Sequence, residues 1–273
     1  MAKGMKQLKL PAIYVALTAG SGILLGTEVL VPLALGFSIF IPALCYVVAR
    51  EYGIAAAAIL SIAALGVAVP VSGWKVCFDL SSFPLIGILA RFLKGKLSLE
   101  NFLLILGALL FSVTLLEEQI LGLPEEVRQL AGFMNLRWGI YFFSSFILAA
   151  ISTGVISLLS REDFGFKRLK FGFWVVPIFL VSGFLAVLDL FPEVKQPAAN
   201  VLIATFSIFT VQGFAVLSSF VERLSLLSKV LLLAAIFLFP IGALIVAMLA
   251  GIFDFWFDFR KLKGGERDGG NSH

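Results

Sequence analysis

Charge is what this chain has least of. Lysine, arginine, aspartate and glutamate make up 14% of its 273 residues, whereas soluble domains carry about 25%. With 60% hydrophobic residues and a mean hydropathy of +1.04, too little polar matter remains to wet a globular surface, so an ordinary water-soluble domain is excluded. Histidine is nearly missing: His273 lies in a polar tail, which deprives the apolar regions of the commonest general base and metal ligand. No metal and no cofactor are expected. Cysteine is scarce too, and two residues, Cys45 and Cys77, are too few for a secreted-type disulfide framework. Both lie within or beside apolar runs and are expected as buried free thiols. HExxH, GxSxG, Walker-loop, paired-cysteine and acidic phosphate-metal signatures are absent, so the expectation is a protein that is not an enzyme. The formal net charge of +4 sits at the chain ends and in short connections instead of along one face, which speaks against a nucleic-acid partner.

What the sequence has is length of apolar run. A bilayer span needs about 20 predominantly apolar residues, and such runs occur near 10–27, 30–49, 54–72, 78–93, 99–116, 138–160, 173–191, 198–221 and 229–256. The fold class expected is therefore all-α, a polytopic transmembrane helix bundle of about nine spans, with eight to ten accommodated by soft boundaries. Glu28 and Pro32 mark the turn between the first two runs, and Pro240 kinks or divides the last. Residues 1–263 read as a single integral membrane domain, and 264–273 as a disordered polar tail too glycine-rich to fold alone.

Basic residues orient such a bundle. Lys3, Lys6 and Lys9 precede the first run, which reads as an uncleaved span with a cytoplasmic N-terminus in a bacterial inner membrane. Arg50, then Arg91, Lys94 and Lys96, then Arg161, Lys167, Arg168 and Lys170, then Arg223 and Lys229 all fall inside; Glu117, Glu118, Glu125 and Glu126 fall outside. Nine spans leave one conflict, placing Arg260, Lys261, Lys263 and Arg267 outside. Two connections have surface-helix composition. Residues 123–134 open with Pro124, Glu125 and Glu126, suited to a first helical turn. Residues 161–171 interleave Phe164, Phe166, Leu169 and Phe171 with Lys167, Arg168 and Lys170, which suits anionic headgroups, or equally a plain basic loop.

Polar groups deep in a span need internal partners. Glu28, Asp79, Arg91, Glu117, Asp189 and Glu222 map near span ends, where reaching the headgroups costs little. Asn200 and Gln212 lie mid-span, and Thr205, Gln212 and Ser219 recur every seven residues on nearly one face. Asn200, Thr205, Gln212 and Asp254 are therefore the candidate ligand-binding residues, with interhelical bonding as the competing role. Asp254 and Asp258 share a face, and Asp254 is a candidate partner for an arginine such as Arg91. Small residues spaced by four, Ala12, Ala16 and Gly20 near the start and Ala243, Ala247 and Gly251 near the end, form candidate helix-packing or partner faces. Gly22 and Gly26 repeat the spacing.

The stretch from Ile41-Pro42 to Tyr52-Gly53, Asn200 with Gln212-Gly213-Phe-Ala-Val, and the ending Gly251-Ile-Phe-Asp254-Phe-Trp-Phe-Asp258-Phe-Arg260-Lys261 resemble the YybS-like family of predicted bacterial membrane proteins. The first six spans are also similar to the substrate-binding membrane subunits of energy-coupling-factor vitamin transporters and to the cell-shape protein MreD. The transporter resemblance implies that Ala12, Ala16 and Gly20 dock on a coupling partner and that a separate ATPase supplies the energy. The chain departs from that pattern by about three further spans after Ser160 and by lacking a vitamin-binding loop, so no substrate carries over. Two functions follow: a transporter-like protein binding a small or lipid-like ligand between helices, or a non-catalytic scaffold of envelope assembly. A lipid-handling enzyme or scramblase is a third. Membrane lipid and a membrane-protein partner or second copy of the chain are the partners implied.

Overall fold

Long runs of leucine, isoleucine, valine, alanine and phenylalanine in lipid leave the backbone one way to satisfy its own hydrogen bonds within a segment, the α-helix. A computed structural model describes residues 2–27, 30–123, 131–188, 192–221, 225, 227–228 and 238–257. Among these residues every regular element is helical: α1 (Ala2–Leu25), α2 (Val31–Ser38), α3 (Ile41–Tyr52), α4 (Ile54–Leu80), α5 (Ser82–Leu93), α6 (Leu99–Leu121), α7 (Ala131–Ser160), a 3-10 turn (Phe166–Arg168), α8 (Val175–Val187), α9 (Pro192–Val221) and α10 (Pro240–Phe257). Most of the expected 123–134 surface helix, together with Glu28, Asp189, Glu222, Arg223, Lys229, Asp258, Arg260, Lys261 and the 264–273 tail, lies outside the described residues.

Five helical segments are long and apolar enough to cross a membrane: Val31–Tyr52, Ile54–Leu93, Leu99–Leu121, Met134–Ser160 and Pro192–Phe220. Three shorter apolar helices accompany them, Lys9–Leu25, Val175–Val187 and Ile241–Phe257. The 13 residues of α8 extend about 20 Å at 1.5 Å per residue, short of a hydrocarbon core about 30 Å thick. The expected spans 54–72 and 78–93 belong to one 40-residue apolar segment, bent where Gly73 adopts φ +80°. The outer faces are apolar as lipid requires: Ile62 is 73% exposed, Leu158 75% and Val187 75%. In water, faces like these would drive aggregation. The protein is an all-helical, multi-pass membrane protein.

Residues 161–171 do not form the surface helix. Arg161 at φ +56° and Gly165 at φ +72° interrupt any helical run, leaving only the 3-10 turn, and Leu169 and Phe171 turn inward to burial. The second reading, a basic loop, describes the segment. Pro240 opens α10, where its missing N–H leaves no bond unmade.

Contacts divide the stretch expected as one membrane domain into two compact units. Unit 1 comprises residues 1–129 and 148–164. Its core joins Tyr14, Ile41, Cys45, Val48, Ala49, Ala57 and Leu80. Tyr14 Oη lies 2.5 Å from Ser61 Oγ, which donates onward to the Ala57 carbonyl at 2.7 Å. Glycine sets how closely α1 meets α4: a Cβ on Gly22 would sit 2.7 Å from Ala68 Cβ, and one on Gly26 2.7 Å from Ser72 Cα. Ser72 Oγ uses that approach to reach the Gly22 carbonyl at 2.5 Å. Gly87 does the same for α5 on α3, with a Cβ there only 2.7 Å from that of Cys45. Both cysteines are buried free thiols, and Cys45 Sγ donates to the Pro84 carbonyl at 3.3 Å.

Unit 2 comprises residues 130–147 and 165–273. Its centre is α9, packed along α8 and α10. Phenylalanines interlock the three: Phe179 meets Phe206 and Phe209 edge-on at 5.5 and 5.1 Å, and Phe209 meets Phe255 at 5.4 Å. Edge-to-face pairs add about 0.5–1.5 kcal/mol each beyond the area they bury.

Candidate functional site

Two polar constellations stand out, one in each unit. In unit 2, α9 carries Asn200 and Gln212. The Asn200 side chain accepts from the Gly139 N–H at 2.7 Å and donates to the Asn135 carbonyl at 2.8 Å and the Gln196 carbonyl at 2.9 Å. Asn135 C=O and Gly139 N–H are the two groups that an α-helix pairs with each other. The Asn200 amide thus spans a rung of α7, and Gly139 admits it because a Cβ there would lie 2.6 Å from the Asn200 carbonyl oxygen. All of this amide is engaged by backbone.

Twelve residues along α9, about 18 Å at helical rise, Gln212 makes a second centre. Its Oε1 accepts from the Phe171 N–H at 3.0 Å, and its Nε2 donates to Asp254 Oδ2 on α10 at 3.0 Å. Gln212 and Asp254 are both fully buried. Contact this direct requires the helices to touch by backbone, which the neighbouring glycines allow. A Cβ on Gly213 would overlap the Ala247 carbonyl, and one on Gly251 would overlap the Phe209 carbonyl. Ala247 is fully buried beside them, while Ala243, one turn earlier, is partly exposed.

The four candidate ligand residues are thereby distributed over three places. Gln212 and Asp254 meet; Asn200 is tied to α7; Thr205 donates its hydroxyl to the Leu202 carbonyl of its own helix at 2.8 Å. Ser219 likewise donates to Val216 O at 2.7 Å. Asp254 takes a hydrogen bond from Gln212, and Arg91, its expected partner, belongs to unit 1. A cleft of about 460 Å³ in unit 2 is lined by Pro177, Ile178, Val181, Leu185, Pro197 and Val201 among others, and by none of the four. On α1, Ala12 and Ala16 are exposed and Gly20 has no atom of unit 1 near its Cβ position. Within unit 1 it is Tyr14, Thr18 and Gly22, not this stripe, that form the packed face of α1.

In unit 1 the expected inside charges converge. Arg50 closes α3, Arg91 closes α5, and Lys94 and Lys96 follow at once. Glu162 ties two of them together: it accepts from Tyr46 Oη at 2.7 Å, pairs with Arg50 Nη1 at 2.9 Å and contacts Lys94 Nζ. Its backbone carbonyl accepts from Ser157 Oγ at 2.7 Å. Phe164 caps the group, 4.6 Å from Lys94 Nζ and 5.9 Å from the Tyr46 and Phe102 rings. Burial and then the Arg50 and Arg91 guanidiniums hold the Lys94 ammonium below the ordinary lysine range, against the pull of Asp163. Glu162 is not singled out by the sequence because partners 68 to 116 residues away are invisible to local pattern. The usable signal was a single acidic pair, Glu162-Asp163, inside a stretch otherwise basic.

Glu162→Gln keeps an acceptor for Tyr46 and deletes the charge that offsets Arg50 and Lys94. Because these side chains are about one-quarter to one-third exposed, the expected loss is about 1–2 kcal/mol, above an exposed pair and below a buried one. Thermal unfolding in detergent measures it, and unchanged melting would remove Glu162 from its central place.

Among the described residues no group of three or more His, Cys, Asp or Glu is arranged to hold a metal ion. Compared with models of known families, with curated proteins and with solved structures, the chain matches none of them.

Proposed function

We propose that this protein is transporter-like, a multi-pass protein of the bacterial inner membrane that binds a small or lipid-like ligand between its helices and performs no chemistry of its own. The observation that carries this reading is the Asp254 carboxylate, fully buried on α10 against Gln212. A carboxylate costs about 2.5–3.5 kcal/mol at the centre of a membrane helix on insertion scales and less toward the end, where Asp254 lies on α10. Helix bonding alone does not call for that cost, since the carbonyl of an asparagine would accept from Gln212 equally well. Intramembrane ionisable groups mark substrate or ion pathways, and Gln212 joins this one to the Phe171 backbone and so to the segment entering α8. The resemblance to YybS-like proteins and to coupling-factor subunits agrees with that reading. The distribution of basic residues between the apolar runs supports a cytoplasmic N-terminus, which puts the Arg50, Arg91, Lys94 and Lys96 cluster inside.

The test is Asp254→Asn in nanodiscs, with thermal shift against vitamin and lipid panels and uptake into proteoliposomes. Wild type is expected to respond to at least one ligand class, and Asp254→Asn to lose the response while melting within about 1.5 kcal/mol of wild type, the usual bound for near-isosteric exchange. A wild type silent to every panel, or a variant that responds as well as wild type, overturns the proposal.

The scaffold reading has one observation in its favour, the exposed Ala12 and Ala16 on α1. Small residues let helices approach closely in lipid, so this face would suit a membrane partner or a second copy. Recovery of cell-wall synthesis proteins on affinity capture would favour the scaffold, and recovery of a coupling-factor ATPase would favour transport.

A further inference from the structure

Between the last turn of α3, the Gly53 joint, the start of α4 and the end of α5 lies a cleft of about 420 Å³, lined by Ala49, Arg50, Gly53, Ile54, Arg91, Phe92, Lys94 and Lys96. Ligand sites span about 300–1,000 Å³, so its size admits a headgroup-sized molecule. Half of its lining residues are cationic, and no acid lines it. Glu162 and Glu51 pair with Arg50, and Glu162 also with Lys94. Arg91 and Lys96 have no acidic partner within ion-pair distance among the described residues. Lys96 instead rests over the Phe92 ring, 3.5 Å from its centroid.

Ordinary roles explain part of this crowd. A cation in the last turn of a helix is favoured by the helix dipole, which accounts for Arg50 on α3 and Arg91 on α5. It does not account for Lys94 and Lys96 being added to the same hollow, where like charges repel. A cationic hollow of this kind is completed by an anion. Position selects the source. Arg50 lies near the end of the apolar segment Val31–Tyr52, and Lys94 directly follows the segment Ile54–Leu93, so the cleft opens at a membrane–water boundary. Two of its lining residues, Phe92 and Ile54, are exposed and apolar. Four cations together with the apolar Ile54 and Phe92 in one lining match a phosphate with acyl chains attached.

The geometry points to a binding site for the phosphate headgroup of an anionic phospholipid in the cleft between α3, α4 and α5, with Arg91 and Lys96 as the residues that engage it. The site does not depend on the Asp254 reading, and Asp254→Asn leaves it unchanged.

The experiment is native mass spectrometry of the full chain from detergent, titrated separately with phosphatidylglycerol and phosphatidylcholine, with and without inorganic phosphate. Wild type is expected to retain one phosphatidylglycerol in preference to phosphatidylcholine. Arg91→Gln and Lys96→Gln are each expected to weaken retention about fivefold, the effect of about 1 kcal/mol per basic residue at an anionic surface. Neither side chain forms an ion pair among the described residues, and thermal unfolding confirms that the variants are folded. Lys75→Gln, which removes an exposed charge elsewhere in unit 1, is expected to leave retention as it was. Equal retention by wild type and the folded double variant Arg91→Gln/Lys96→Gln overturns the site. Displacement of the lipid by millimolar inorganic phosphate overturns the lipid assignment in favour of a soluble phosphate compound.

Discussion

Gly213→Ala is expected to prevent α9 and α10 from meeting, and Gly251→Ala to do the same. In each case the added methyl would overlap a backbone carbonyl of the facing helix, and would also lie 2.9 Å from the other glycine's nitrogen. A side chain in the way can rotate. A carbonyl within a helix cannot move without carrying its helix along, so the two elements must separate and part with the Gln212 to Asp254 bond and the Phe209 to Phe255 contact. The cost is set at or above about 3 kcal/mol, the upper end for overpacking. It outweighs the gain in helix propensity of about 1 kcal/mol that alanine brings over glycine. Gly183→Ala is the internal control, because its Cβ would meet Leu202 Cδ1 at an ordinary 3.7 Å; that variant should melt with or above wild type. Thermal unfolding and size-exclusion profiles in detergent report the difference. If Gly213→Ala melts alongside Gly183→Ala, the glycine contact is not what joins these helices.

Gln212→Leu is expected to have the next largest effect. Leucine approximates the shape of glutamine while removing both ends of its amide, so the buried Phe171 N–H and the Asp254 carboxylate each lose a hydrogen bond. A bond to a charged group is worth about 1.5–3 kcal/mol and a neutral one about 0.5–1.5, which puts the loss near 2–4 kcal/mol. The sharper expectation concerns the pair. Replacing both partners of a buried bond by apolar groups can be nearly neutral, so Gln212→Leu/Asp254→Leu should be more stable than Gln212→Leu alone. A double-mutant cycle by thermal or denaturant unfolding isolates that coupling. Simple additivity of the two substitutions would show that the bond contributes nothing in the folded protein.

The helical, membrane-embedded character of the chain was legible in its sequence because both follow from local quantities: run length, hydropathy and the scarcity of charge. Placement of small residues was legible in part. Ala247 and Gly251 meet α9 as their four-residue spacing suggested, whereas Ala12 and Ala16, with the same spacing, face outward. Spacing identifies a smooth face and is silent about what meets it. The candidate ligand set shows the same limit. Gln212 and Asp254, 42 residues apart, were singled out separately for being polar amid apolar neighbours, and their contact depends on Gly213 and Gly251 approaching carbonyls on the opposite helix. Thr205 shares the face of Gln212 by periodicity, but a threonine in a helix can satisfy its hydroxyl on its own preceding turn, and here it does. The bend at Gly73 was foreshadowed by the gap between two apolar runs. The left-handed conformation of Arg161, directly after α7 stops at Ser160, was not, because its residue type does not advertise it.

The Asn200 amide has a bearing on how unit 2 comes to be made. It engages Asn135 and Gly139 from 61 to 65 residues downstream, so α7 emerges from the ribosome and enters lipid well before the group that will grip its rung has been synthesised. Insertion of α7 and its final bonding are therefore separate events in time. The tie between α7 and α9 through this amide is thus a late contact, open only once α9 has been made.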